Sequence, residues 1–343
     1  MLDDAHKRVD EYTIQIEKLY EKYTDLLIEL ILIHRITLHK KAFTFYDYPF
    51  AELVKNILRN MYSELYSSLK VSITKEWNLS NTKNDELVKK IKIIKNKDKF
   101  LKRNDAPLHA FFERKRYGLN LSDRVWKLTT QHKKELELCI DACLRSGQSA
   151  HLLSIGIKKY LNEPDRLFRR IKNQNNKLTL SKAAKEYAPG RGVYRSSKKN
   201  ALRLARTEIN IAYKTADIER WQDMPFVVGY EIKRSKNPYP CKICDSLKGK
   251  YPKYFQFVGW HPQCLCSMLP ILMTHEEMLK LNNYTLRGKE LDWKSVNEVE
   301  ELPSNFLLWL SENLKRINTA KSLPYFIRDN KDILPIKPIF QNL

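Results

Sequence analysis

Apolar residues near the start of the chain recur at alternating steps of three and four: Val9, Tyr12, Ile16, Leu19, Tyr23, Leu26, Leu30 and Ile33. This heptad stripe predicts a long helix. From Leu26 to Ile33 apolar residues fall on nearly every face, which predicts burial in a bundle rather than a two-stranded coiled coil. Asp47–Tyr48–Pro49 breaks the pattern, and helical spacing resumes through Leu53, Ile57, Met61 and Leu65. The Lys-rich stretch from Thr82 to Arg103 reads as an amphipathic helix with a solvated basic face. Its apolar side lacks Trp and is interrupted by Asn and Asp, which argues against a membrane-surface role. A further helix carries Leu121, Val125, Leu128, His132, Leu136, Cys139 and Cys143 on one face and ends near Gly147, with a shorter one stopping at Asn162–Glu163–Pro164. Helical spacing returns from Lys198 to Trp221, with Leu202, Ala205, Ile209, Ala212 and Ala216 as the buried stripe and Pro225 as its end. Phe226, Val228, Tyr230 and Ile232 then alternate with Val227, Gly229, Glu231 and Lys233, the pattern of a strand.

Glycine supports the helical reading, since none of the nine precedes Gly118 and turns and hairpins usually need it. The expected fold is mainly α: a bundle-like helical N-terminal region plus a small α+β C-terminal domain stapled by a Cys/His zinc site. A length of 343 residues suits about two domains with real cores. No run of 18 apolar residues exists to span a membrane. The opening MLDDAHKRVDEY lacks an apolar stretch, so no secretory signal and a cytoplasmic origin are expected.

The formal net charge of +22 is uneven: about +3 over residues 1–100, +14 over 101–200 and +5 over 201–343. From Lys158 to Arg203 there are 14 basic and three acidic residues, interleaved with Phe168, Tyr187 and Tyr194. This block suits a polyanionic partner, double-stranded DNA held non-specifically through its backbone, with Lys158, Lys159, Arg166, Arg169, Arg170, Lys172, Arg191, Arg195, Lys198 and Lys199 as candidate contacts. A solvated Lys-rich surface is the competing reading, and a linker is an equally fair reading of residues 173–196.

Four of the six cysteines fall within 26 residues, as Cys241-Lys-Ile-Cys244 and then His261-Pro-Gln-Cys264-Leu-Cys266. Two close pairs separated by a loop are what a tetrahedral structural zinc requires. Five candidates compete for four places, so His261 either replaces one Cys or merely caps the chain beside Pro262. Disulfides and a redox pair are the alternatives; the lack of a secretion signal disfavours the first, and the flanking Pro240 and Asp245 the second. Cys139 and Cys143, one turn apart on an apolar stripe, read as core residues.

The helix ALRLARTEINIAYKTADIERW, the strand VVGYEIKRS, the element CKICDSLKGKYP and the closing GWHPQCLCSMLPI occur in that order, and together they resemble the phage Mu F-type minor head protein (head morphogenesis) domain. The resemblance covers residues 198–272, about a fifth of the chain. LPSNFLLWLSENLKRI and SLPYFIRDN resemble, less specifically, extensions of relatives. The layout it implies is a helical region 1–172, a basic linker 173–196, the head morphogenesis domain 197–273 and a helical and extended tail 274–343. The implied role is non-enzymatic: a low-copy structural protein of the virion head, near the portal vertex, with the portal protein and other head proteins as partners, no membrane, and a part in DNA packaging or ejection. In the family helix, Arg206 and Glu208 have no opposite charge within one turn and point to different faces, so they are expected to tie the helix to the strand and cysteine module. The alternatives are a zinc-stabilised endonuclease, which lacks a convincing second set of ligands after His261, and a DNA-binding accessory protein.

Overall fold

The computed structural model describes residues 2–34, 42–101, 105–145, 152, 154–158, 170–172, 178–180, 187–190, 192–235, 240–287, 291–320 and 322–335. It is mainly helical with a small three-stranded antiparallel sheet. The principal elements are α1 (Leu2–Ile33), α2 (Ala51–Lys90), α3 (Asp105–Glu113), α4 (Leu121–Arg145), β1 (Arg170–Lys172), β2 (Leu178–Leu180), α5 (Ser197–Gln222), β3 (Val227–Lys233), α6 (Lys242–Ser246), β4 (Gly249–Tyr251), β5 (Ser267–Leu272), α7 (His275–Leu286), α8 (Ser304–Asn318) and α9 (Tyr325–Arg328). The chain divides into two compact units: residues 1–9, 72–112 and 206–343 form one, and residues 10–71 and 113–205 the other.

In α1 the expected stripe holds at Val9, Tyr12, Ile16 and Tyr23 and slips elsewhere: Tyr20, Leu27, Ile28 and Ile31 are buried, while Leu26 and Ile33 are exposed. A straight helix turns every 3.6 residues, so a strict 3.5 repeat drifts off its face. In α2 the expected Met61 and Leu65 are buried, while at the start of the helix Val54 and Leu58 are buried and the expected Leu53 is exposed. This helix runs on past Thr82 to Lys90, and the described chain beyond it, to Leu101, is a turn and a short 3-10 segment over Lys97–Phe100 rather than a continued helix; Lys102 and Arg103 lie outside the described residues.

In the first unit the sheet order is β4-β3-β5, antiparallel throughout. The central strand is buried on both faces over Val227–Tyr230, which explains why its outer alternation is weak at this end. At Gly229 an added Cβ would lie 2.8 Å from Val299 Cγ2 and 3.1 Å from the Tyr251 carbonyl oxygen, so glycine lets two backbones approach. Beside the sheet is an aromatic core of Tyr251, Phe255, Phe257, Trp260, Phe306 and Phe326, all nearly inaccessible. Phe306 and Phe326, from α8 and α9, meet Trp260 and each other, so the C-terminal segments are part of this core. α7 begins with a reciprocal capping box between Thr274 and Glu277.

Helices α2 and α5 are joined inside this unit through a buried acid. Asp217, 1% exposed, accepts hydrogen bonds from Ser80 Oγ at 2.7 Å, Lys83 Nζ at 2.5 Å and Asn84 Nδ2 at 2.7 Å. One turn along, Arg220 donates to Asp85 and to the Phe100 carbonyl, both at 2.6 Å. Every polar group in this contact finds a partner, as burial demands.

In the second unit Leu27, Ile28, Ile31, Phe45, Val54, Leu58, Leu136 and Ile140 form the core. Cys139 is buried among them, as expected; the Cys143 side chain lies outside the described residues. β1 and β2 pair antiparallel, Ile171 opposite Thr179, so residues 178–180 of the expected linker are strand.

Candidate metal centre

The first cysteine pair is set by a single helical turn. Cys241 is the N-cap of α6 and Cys244 lies within it, and the Asp245 amide closes the turn on the Cys241 carbonyl at 2.9 Å. The second pair is set by a tight turn in which the Cys264 amide donates to the His261 carbonyl at 3.1 Å. This turn needs Gln263 in the left-handed region, with φ +63°, an unusual conformation for a side-chain-bearing residue. Gly259, at φ +140°, passes so close that an added Cβ would stand 3.1 Å from Cys264 Cβ. Cys266 follows just before β5.

These turns bring all five candidates together. His261 Nε2 is 3.3 Å from Cys241 Sγ and 3.1 Å from Cys244 Sγ, and Cys244 Sγ is 4.0 Å from Cys264 Sγ. Two triads share Cys244, namely Cys241–Cys244–His261 and Cys244–Cys264–Cys266, and within each the donor atoms lie within 4.8 Å of one another. Tetrahedral zinc with ordinary Zn–S and Zn–N bonds sets its donors about 3.5–3.8 Å apart. The observed spacings bracket that range, so the cluster can hold a metal ion. Cys244, Cys264 and Cys266 are buried, and Cys241 and His261 are partly exposed.

The His261 ring is oriented by its own neighbour. Its Nδ1 is 2.7 Å from the Pro262 carbonyl oxygen, which can only accept, so in the neutral ring Nδ1 carries the proton. Nε2 then presents its lone pair to the sulfurs. A backbone carbonyl fixing the far nitrogen is the usual support of a metal-binding imidazole. The thiols are unequal. Hydrogen bonding from Cys244 and Cys266, then the charge of Lys214 and the Trp260 backbone, hold the Cys264 thiol well below its ordinary range, while Cys244 is pushed up by its bonds to Cys264 and Cys266 and by burial.

Helix α5 clamps the second turn. Thr207 Oγ1 accepts from the Gln263 amide at 3.1 Å, and the buried Lys214 donates to the Cys264 carbonyl at 2.9 Å. Thr207 and Lys214 are seven residues apart, two turns along one face. Sequence reasoning passed over both; a polar pair at that spacing beside an apolar stripe was the available signal. Of the expected pair, Glu208 is buried and Arg206 partly so, which excludes a solvated surface position for Glu208.

The expected nucleic-acid residues are distributed unevenly. Lys159, Arg166, Arg169 and Arg191 lie outside the described residues, and Arg170 and Lys172 are described only as the backbone of β1. Lys158 is ion-paired with Asp25 at 2.7 Å and Lys198 approaches Glu21 at 3.8 Å. Arg195 and Lys199 flank the start of α5, where the Lys199 amide donates to Ser196 Oγ.

A second polar cluster was not anticipated. Glu135 accepts from the Ser197 amide and hydroxyl, both at 2.7 Å, from Gln131 at 3.0 Å and from Tyr187 at 3.2 Å. His132, fully buried, lies 3.4 Å from both Ser197 Oγ and Thr24 Oγ1. Burial pushes the Glu135 carboxyl up to about 8 against these hydrogen bonds, and the His132 imidazole down to about 3. Tyr20, Thr24, His132, Glu135, Lys158 and Lys198 line an adjoining cavity of about 190 Å³. The hydroxyl of Ser197 is bound to the carboxyl itself, and the imidazole does not stand between them. The order needed to activate a serine is therefore not present.

Comparison with family models, with curated proteins and with solved structures finds no match to this chain. Among the described residues no helix is long and apolar enough to cross a membrane.

Proposed function

We propose that this chain is a non-enzymatic minor head protein of a tailed phage, whose Mu F-like module is stapled by a structural zinc ion and docks on the portal and other head proteins. The observation that carries the reading is convergence. The three motifs of the resemblance meet at one place, with Thr207 and Lys214 of the first motif holding the His-Pro-Gln-Cys turn of the third against the Cys-Lys-Ile-Cys turn of the second. A closed four-donor site leaves no coordination position for substrate, which suits a staple rather than a catalyst.

Within this reading the ligands are Cys241, Cys244, His261 and Cys264. Each pair is two residues three apart on a single turn, and the Pro262 carbonyl aims the His261 lone pair at the sulfurs. Cys266, buried and placed just before β5, stands outside the set. Zinc analysis of the purified chain tests this: one equivalent is expected, retained by Cys266→Ser and lost by Cys264→Ser and His261→Ala. Loss with Cys266→Ser but not with His261→Ala overturns the assignment.

The virion role is tested by quantitative mass spectrometry of phage particles, where a few copies per portal are expected to survive nuclease and salt washing. Absence from particles, together with cleavage of duplex DNA by the purified chain, would favour the endonuclease instead. The basic middle region is assigned non-specific contact with packaged DNA.

A further inference from the structure

Between Lys89 and Lys99 the chain carries six lysines and one acid. The amphipathic helix expected there ends at Lys90, and the residues after it are held in place individually. Ile94 and Phe100 are buried in the core of the first unit, and Ile91 and Ile93 pack against it. Asn282 of α7 clamps the backbone, donating to the Ile93 carbonyl at 2.6 Å and accepting from the Lys95 amide at 3.1 Å. Asn96 turns the chain in the left-handed region at φ +53°. With the apolar residues turned inward, Lys89, Lys90, Lys92, Lys95 and Lys99 are exposed.

The C-terminal dipole of α2 accounts for Lys89 and Lys90, and Lys97 Nζ donates to the Lys89 carbonyl at 3.0 Å. Lys99 Nζ lies 4.7 Å from the centroid of the Phe100 ring, and Lys92, Lys95 and Lys99 have no acidic partner among the described residues. Like charges this close on an ordered loop repel one another, and a polyanion relieves that repulsion without the entropy cost of ordering the loop.

We propose that this lysine loop is a docking surface for duplex DNA, gripping the phosphate backbone without reading sequence. The dent beside Lys95 and Lys99 is about 10 Å³, room for about one water, so a small-molecule ligand has no seat here. The loop's isoleucines and Phe100 face the core, which removes the apolar side a membrane-surface element would insert. Lysines are flexible point charges without a fork for base edges, which suits backbone contact. The surface belongs to the first unit and shares no residue with the basic stretch 158–203, so it rests neither on that stretch nor on the head-protein reading.

The test is fluorescence anisotropy of a labelled 20-base-pair duplex with the full chain, titrated from 50 to 200 mM KCl. Each phosphate neutralised contributes about 0.9 to the slope of log K against log salt. Replacing Lys89, Lys90, Lys92, Lys95 and Lys99 with Gln is expected to reduce that slope by about 4.5 and to weaken binding at 100 mM salt at least tenfold. Gln at Lys92, Lys95 and Lys99 alone leaves the helix end intact and is expected to reduce the slope by about 3. Wild-type slope and affinity in either folded variant overturns the proposal. So does loss of binding confined to a Lys158, Lys198 and Lys199 to Gln variant, or a loop variant that loses binding only to phosphatidylglycerol vesicles.

Discussion

The Glu135–His132 cluster predicts an unusual pH profile of stability. The folded chain holds the Glu135 carboxyl at about 8 against an ordinary 4.5, so between those values it retains a proton that the unfolded chain has released. Stability then falls as pH rises, by about 1.4 kcal/mol per unit, until the folded carboxyl ionises. His132 acts in the opposite sense: its folded value is about 3 against 6.5, so between those values the unfolded chain holds the extra proton and stability rises with pH. From pH 4.5 to 6.5 the two slopes cancel. Outside that window each acts alone over about 1.5 units, which gives an alkaline loss of about 2 kcal/mol between pH 6.5 and 8 and an acid loss of about 2 kcal/mol between pH 4.5 and 3. Glu135→Gln keeps an acceptor for the Ser197 amide and cannot ionise, so it is expected to abolish the alkaline limb and to uncover the His132 slope across pH 4.5–6.5; His132→Asn is expected to abolish the acid limb and to uncover the Glu135 slope across the same window. Urea unfolding followed by circular dichroism at half-unit pH steps reads both, with the difference from wild type removing the background of other groups. Parallel profiles for Glu135→Gln and wild type between pH 6.5 and 8 would refute the reasoning.

Two further predictions concern the first unit. Asp217→Ala leaves Ser80, Lys83 and Asn84 without their shared acceptor and should lower unfolding free energy by about 3–5 kcal/mol, with Asp217→Asn milder because one carbonyl oxygen remains; a loss under about 1 kcal/mol in urea would show that the network is dispensable. Gly229→Ala forces a methyl against Val299 and the Tyr251 carbonyl and should cost about 1–3 kcal/mol, with Val299→Ala in the same chain restoring part of the melting temperature.

What could be read from the sequence was set by distance along the chain. The cysteine cluster was legible because Cys241 and Cys244 are three residues apart and Cys264 and Cys266 two, steps whose backbone geometry is local, whereas the part played by His261 stayed open. The long helices were legible in existence and type, but their faces shifted in places: the expected stripes put Leu26 and Leu53 inside, where Leu27 and Val54 are buried. The clamp on the His-Pro-Gln-Cys turn was hidden because its partners are 50 and 56 residues apart. The end of α2 at Lys90 was hidden for a related reason, since it depends on Ile94 and Phe100 finding a core contributed by later parts of the chain. The Ser197–Glu135 bond links residues 62 apart, and no spacing rule reaches that far.

The shared acid between α2 and α5 also bears on how the chain is made. Ser80 and Asn84 leave the ribosome 137 and 133 residues ahead of the Asp217 that satisfies them. At ordinary synthesis rates that is a wait of roughly 7–27 s, during which the far half of α2 exposes a polar face made for a partner not yet translated. The stretch over residues 198–272 is consequently not self-contained. Cut out at residues 198–272, it would carry Asp217 and Arg220 away from their α2 partners and Trp260 away from Phe306 and Phe326. The smallest piece that keeps these contacts contains both α2 and the C-terminal helices.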